Sequence, residues 1–278
     1  MARGPSEAKV DFWSRKGIKP DVAIQEPDFG AEARGVYVEA LDALDRSGIR
    51  YMLGGAVALN TYTGIWRDTK DLDVFVPGEA VGRVLGALDE EGFEAEVTDP
   101  LWLAKAWRGE LFVDVIHGSH NGTGPVDESW IQNAKEVTVL DRRVHVIPAE
   151  EMILSKIFVV AKDRCDVDDV LHIVFATQGN LDWERMLSKI GDHWEFLLAY
   201  LHFYRYVYPS HTHYLPQGVL QNLLDRYREE AKDATDGGLR FRGTMLDENT
   251  FRVDVEEWGL PDEREATRDA RTSGEAQG

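Results

Sequence analysis

The chain of 278 residues carries a single cysteine, Cys165, so no disulfide can close within it. No catalytic or metal-binding motif surrounds that thiol, and its plain reading is a half-buried side chain. Dispensing with disulfides fits a reducing compartment, and a cytoplasmic location is expected. Long apolar runs are also missing. None approaches the roughly 18 residues that a membrane helix needs. Residues 1–17 show no apolar stretch followed by a small-residue cleavage site, so no secretory leader is expected. Cations are scarce as well: 31 lysines and arginines stand against 50 acidic side chains, for a net charge of −19. Residues 243–278 hold ten acids against four arginines, and the remainder is acidic too. Affinity for a long polyanion leans on cationic patches, so nucleic-acid partners are disfavoured unless a local basic strip exists.

What is present is the material of a globular protein. Apolar residues make up 43% and aromatics 10%, and the length suffices for a full core and two domains. The most informative stretch is Tyr51 to Val76. Tyr51, Met52 and Leu53 read as a buried strand that stops at Gly54-Gly55. Val57, Ala58, Leu59 and Tyr62 follow at helical spacing. Arg67-Asp68-Thr69-Lys70 then leads into a second strand, Asp71 to Val76. Residues two apart on a strand share a face, so Asp71 and Asp73 project together while Leu72 and Val74 enter a core. Two carboxylates held that close are costly unless a cation lies between them.

Before this stretch, residues 1–30 lack periodicity and read as an irregular arm, docked through Val10, Phe12 and Trp13. Val36, Ala40, Leu41 and Leu44 predict an amphipathic helix from Ala31 to Ser47. After it, Val81, Val84, Leu85 and Leu88 predict another helix ending near Gly92. Strands are expected at Phe93–Val97, Trp102–Trp107 and Leu111–Ile116, the last with Asp114 as its only charge. Lys135 to Ile147 predicts a hairpin turning around Asp141-Arg142-Arg143. Beyond Pro148 the pattern is helical: Met152–Val160, Val167–Ala176, Leu181–Ile190, Trp194–Val207 and Val219–Ala231. The expected organisation is an arm (1–30), an α+β domain (31–147), a helical domain (148–242) and an acidic tail (243–278). Residues 261–278 lack apolar content and are expected to be disordered.

The chemistry begins with carboxylates. A strand bearing Asp71 and Asp73 beside one bearing Asp114 could set three acids around one point, where hard cations such as Mg²⁺ find oxygen ligands. Gly54-Gly55 at a strand-to-helix turn lets the backbone approach a phosphate. Arg67 and Lys70 could neutralise phosphate oxygens. Each signal alone has an ordinary explanation, a tight turn or a solvated strand edge.

Taken together, the apolar strand, the Gly-Gly pair, the Arg67-x-Thr69-x-Asp71-Leu-Asp73 run and the strand carrying Asp114 resemble the nucleotidyltransferase superfamily typified by DNA polymerase β. The likeness is nearest to its minimal and AbiEii-like bacterial branch and covers residues 35–116. Ile147 to Ile173 resembles the helix pair that follows the catalytic domain there. The resemblance implies a mixed β-sheet flanked by helices, followed by a helical domain. Asp71, Asp73 and Asp114 would bind Mg²⁺ (or Mn²⁺) and act in catalysis. Gly54, Gly55, Arg67, Thr69, Lys70 and Lys156 would contact the nucleoside triphosphate. The family often has serine at the second glycine position, so Gly55 removes a hydroxyl contact.

The expected activity is transfer of a nucleoside monophosphate from the triphosphate to a hydroxyl acceptor, in a cleft between the domains, with release of pyrophosphate. A cationic small molecule or a protein hydroxyl is favoured as acceptor over nucleic acid, and one half of a toxin–antitoxin pair is compatible. Two alternatives stand. One is a catalytically silent module that binds a nucleotide or partner. The other is nucleotide addition to an RNA end, which needs a basic strip from Arg205, Arg226, Arg228, Arg240 and Arg242. His117 and His120 read as loop histidines, and the aromatic stretch Trp194–Tyr214 as helix core plus interface rather than a base-stacking surface.

Overall fold

Alternating burial accounts for the central strands. In β2 (Asp71–Phe75), Leu72 and Val74 are buried while Asp71 and Asp73 on the opposite face stay partly accessible. In β5 (Leu111–Ile116), Val113 and Val115 are fully buried and Asp114 falls between them. Burying one such aliphatic side chain contributes about 1.5–3 kcal/mol. A one-residue slip of either strand would turn its apolar set away from the core. These features come from a computed structural model of the chain, which describes residues 27–162, 164–232 and 240–272. The expected docking of Val10, Phe12 and Trp13 lies outside the described residues.

In chain order the first half contains α1 (Gly30–Arg46), β1 (Met52–Leu53), α2 (Gly55–Thr63), β2, α3 (Val81–Glu90), β3 (Glu94–Asp99), β4 (Leu103–Arg108) and β5. A short helix α4 (Glu128–Gln132) then leads to the hairpin β6 (Lys135–Val139) and β7 (Arg142–Val146). The strands form one seven-stranded mixed sheet in the order β3-β4-β5-β2-β1-β7-β6. β2 is central: it runs parallel to β5 and antiparallel to β1, which in turn pairs parallel with β7. The fold is thus α+β, a mixed sheet flanked by helices and followed by a helical C-terminal region.

The buried stripe of α1 is Ala33, Tyr37, Ala40, Leu41 and Leu44. Val36, expected on that face, is only half-buried, because a helix turn of 3.6 residues brings Tyr37 rather than Val36 into line with Ala40, Leu41 and Leu44. The hairpin turns at Leu140-Asp141, both with positive φ (53° and 59°), one residue earlier than expected. That conformation matches the right-handed twist of the two strands.

The second half is helical: α5 (Ala149–Lys156), α6 (Val167–Ala176), α7 (Trp183–Ile190), α8 (Trp194–Val207) and α9 (Gln217–Glu230). Two further helices follow, α10 (Arg252–Glu256) and α11 (Glu263–Thr272). Within the stretch expected to be disordered, Glu263–Thr272 forms α11. Its start is capped by Asp262, which accepts from the Arg264 amide (2.9 Å) and from the Thr244 hydroxyl (2.7 Å). Arg242–Glu263 (3.0 Å) and Arg268–Asp99 (3.0 Å) hold its sides. Capping and ion pairs order a segment that has no apolar face to bury.

The chain clusters into two compact units. The first comprises residues up to Thr98, Ala104–Ile116 and Asp127–Pro148. The second comprises Asp99–Leu103, His117–Val126 and the chain from Ala149 onward. Among the described residues no helix is long and apolar enough to cross a membrane.

Candidate active site

Strand register brings the first unit's acids together. Asp73 on β2 is the direct neighbour of Asp114 on β5, and Asp71 is the neighbour of Phe112. Parallel neighbours in register point the same way, so Asp71, Asp73 and Asp114 share a face of the sheet.

The glycine pair joins this face from the adjoining strand. The Gly54 amide donates to the Asp73 carbonyl at 2.9 Å, which ties the turn to β2. A Cβ on Gly54 would lie 2.1 Å from Cε2 of Phe75. Gly55, the first residue of α2, has a positive φ of 50°, and a Cβ there would lie 1.7 Å from Oδ2 of Asp73. The Asp73 carboxylate therefore rests against a backbone with no side chain in the way, beside the positive end of α2.

Of the approach segment, Thr69 donates its hydroxyl to Oδ1 of Asp71, fixing that carboxylate's orientation. Arg67 and Lys70 are exposed at the end of the strand.

Asp114 has a partner that the sequence reading missed. Nζ of Lys105, on β4, lies 2.7 Å from its Oδ1, with 23% and 14% of the two side chains exposed. The same ammonium sits 4.3 Å above the ring of Phe112. Burial holds the Asp114 carboxyl above its usual range, against the hydrogen bond and charge of Lys105 and with the added repulsion of Asp71. Among the described residues, Asp168, Asp169 and His172 bring ligand atoms within 4.8 Å of one another. Asp71 and Asp73 remain a donor set of carboxylate oxygens suited to a hard divalent cation.

Tyr37 of α1 also belongs to this neighbourhood. Its side chain is fully buried, and its hydroxyl has no hydrogen-bond partner among the described residues. Burial, and then the charges of Asp71 and Asp73, push its ionisation up. Ala33, Ala40 and Leu41 at three- and four-residue spacing could have flagged it as a core position, though not as a neighbour of the acids.

Lys156 belongs to the second unit. Its ammonium lies 2.6 Å from Asp166 and 2.7 Å from Asp169, and all three side chains are largely buried. Burial opposes ionisation of Asp166, yet the Arg164 hydrogen bond and the Lys156 charge hold its pKa below the usual value. Asp168, Asp169 and His172 gather on α6 beside this pair.

The loop histidines also lie in the second unit. His117 is buried, and His120 packs edge-on against Trp102. Burial and the nearby Arg264 and Arg164 cations depress the His120 pKa to about 4, so it is neutral at pH 7.

Four of the five arginines expected to form a basic strip are paired with acids. Arg226 pairs with Glu230 (2.6 Å), Arg228 with Asp225 (2.7 Å), and Arg240 and Arg242 with Glu263 (3.1 and 3.0 Å). Arg226, Arg240 and Arg242 line a cavity of about 500 Å³ together with Asp192, Trp194, Glu195 and Glu230. The aromatic stretch divides: Trp194, Tyr200, Tyr204 and Tyr214 are buried, while Phe203 and Tyr206 are exposed.

Against known families, a model described as an uncharacterised nucleotidyltransferase matches residues 31–208. No curated protein matches the chain. Solved structures are similar at low identity. The antibiotic-resistance factor ANT(2'')-Ia is 17% identical with a TM-score of 0.45, over 63% of this chain and 98% of its own. The lincosamide antibiotic adenylyltransferase LnuA, bound to lincomycin, is 18% identical with a TM-score of 0.38, over 52% and 98%. A putative nucleotidyltransferase from Thermotoga maritima is 14% identical with a TM-score of 0.36, over 45% and 82%.

Proposed function

The chain belongs to the nucleotidyltransferase family whose model spans residues 31–208, and on that premise we propose that it moves a nucleoside monophosphate from a triphosphate to a hydroxyl acceptor, releasing pyrophosphate. One observation carries the reading: Asp71 and Asp73 share a sheet face with Asp114, the register neighbour of Asp73, at the foot of a side-chain-free turn. Asp71 and Asp73 would hold Mg²⁺. When bound, the ion neutralises phosphate charge and polarises the phosphorus for attack. Thr69 orients Asp71. Gly55 would offer its amide, and the Gly54-Gly55 turn would leave room, for the triphosphate at the start of α2. Arg67 and Lys70 supply charge to its oxygens. Asp114 would accept the proton of the attacking hydroxyl.

The acceptor follows from charge. A chain of net charge −19, in which Arg226, Arg240 and Arg242 are paired with carboxylates, favours a cationic small molecule or a protein hydroxyl over an RNA end. The AbiEii-like placement, and a toxin–antitoxin role compatible with it, rest on the Arg67-x-Thr69-x-Asp71-Leu-Asp73 run.

A second reading has its own observation: Lys105 already neutralises Asp114, which suits a protein that binds a triphosphate without turning it over. One experiment separates the two. The protein is incubated with Mg²⁺ and each NTP labelled at its α-phosphate, with cell lysate as the acceptor pool, beside the Asp71→Ala/Asp73→Ala variant. Label transferred above that variant's background identifies the acceptor class by its carrier. Triphosphate binding with no transfer for any NTP would favour the silent module and remove the enzymatic reading.

A further inference from the structure

Lys105 is a built-in cation at a place where a metal site would bring one from solution. Its ammonium lies 2.7 Å from Asp114, and both side chains are largely withdrawn from water. An ion pair so placed is poorly screened. The lysine is also held from below, 4.3 Å above the ring of Phe112, the residue in register with Asp71. It is therefore braced from two sides rather than swinging at the surface.

Charge then divides the three acids unequally. Lys105 neutralises Asp114, and a single divalent cation would neutralise Asp71 and Asp73. Resting on the proposed metal-dependent transfer, we infer that Lys105 stands in for one metal ion: the site takes one divalent cation, on Asp71 and Asp73, and Asp114 is kept from ligating a second. Lys105 acts here as a positioning residue, through Asp114.

The inference is tested by counting metal. Mn²⁺ is titrated into the full chain in the presence of a non-hydrolysable ATP analogue, and free Mn²⁺ is read from its electron paramagnetic resonance signal. A single tight equivalent is expected for the wild type and for Lys105→Arg, which keeps the cation. Lys105→Met, and Lys105→Gln should the methionine variant fail to fold, are expected to gain a second equivalent that Asp114→Asn then removes. Two tight equivalents in the wild type would overturn the inference and leave the transferase reading intact. So would folded Lys105 variants that stay at one. No Mn²⁺ bound by any form would remove both.

Discussion

Gly55 and the Asp73 carboxylate compete for one place: a Cβ on the glycine would lie 1.7 Å from Oδ2 of the aspartate. Gly55→Ala must therefore move the carboxylate, and it also places a side chain at φ +50°. The backbone conflict alone costs roughly 1–2 kcal/mol. On the proposed function, displacing that carboxylate oxygen by about 1 Å is expected to lower transfer on the order of 100-fold. Gly55→Ser, the residue common in related proteins, is expected to behave as badly here. Denaturant unfolding and NMP transfer measure the two effects, and a serine variant with wild-type activity would show that Asp73 has another productive position.

Tyr37→Phe is expected to leave stability unchanged or raise it by up to about 1 kcal/mol, because its buried hydroxyl has no partner to lose. Urea unfolding at neutral pH checks this. A loss above about 1 kcal/mol would mean that the hydroxyl bonds a group such as an internal water.

Lys156→Ala removes the cation shared by Asp166 and Asp169. Breaking a buried pair from one side costs about 3–5 kcal/mol. Lys156→Ala/Asp169→Asn should recover part of that loss, since one stranded charge is gone. A phosphate-binding lysine would behave differently: the single variant would keep its stability and lose triphosphate affinity. Thermal unfolding with and without ATP separates the outcomes.

His120 gives the fold an acid-side weakness. Its pKa is depressed to about 4 from an ordinary 6.5, so the unfolded chain takes up the proton first as pH falls. The stability this group supports is complete above pH 6.5 and declines toward pH 4, at up to about 1.4 kcal/mol per pH unit. The raised carboxyls of Asp114 and Glu151 act with the opposite sign, so the test is a difference. His120→Gln should flatten the fall between pH 6.5 and 4 relative to wild type. Parallel curves for the two proteins would show that His120 titrates normally.

Much of the first unit was legible because its strands alternate cleanly. Leu72 and Val74 against Asp71 and Asp73 settled the faces of β2, and Leu111–Ile116 appears with the expected ends. Lys105 was not legible. In Leu103–Arg108 it reads as an ordinary surface charge, and only the pairing of β4 with the next strand, β5, sets it on Asp114. Tyr37 was hidden for the opposite reason, since a tyrosine among alanines and leucines looks like plain core. The helix Glu263–Thr272 escaped because hydropathy carries no record of caps and ion pairs. The grouping of Asp168, Asp169 and His172 follows once α6 is a helix, since positions three and four apart meet on one face, but their sequence reads first as a solvated helix start.

The hydrogen-bonding of β2 on both edges, by β5 on one side and β1 on the other, has a kinetic meaning. Amide protons of Leu72 to Val74 can meet solvent only when the sheet itself parts, so they belong to the slowest-exchanging set in the chain. The aspartates thus ride on the stiffest backbone available, and adjustment to a substrate falls to Gly64–Lys70, the irregular segment leading into β2.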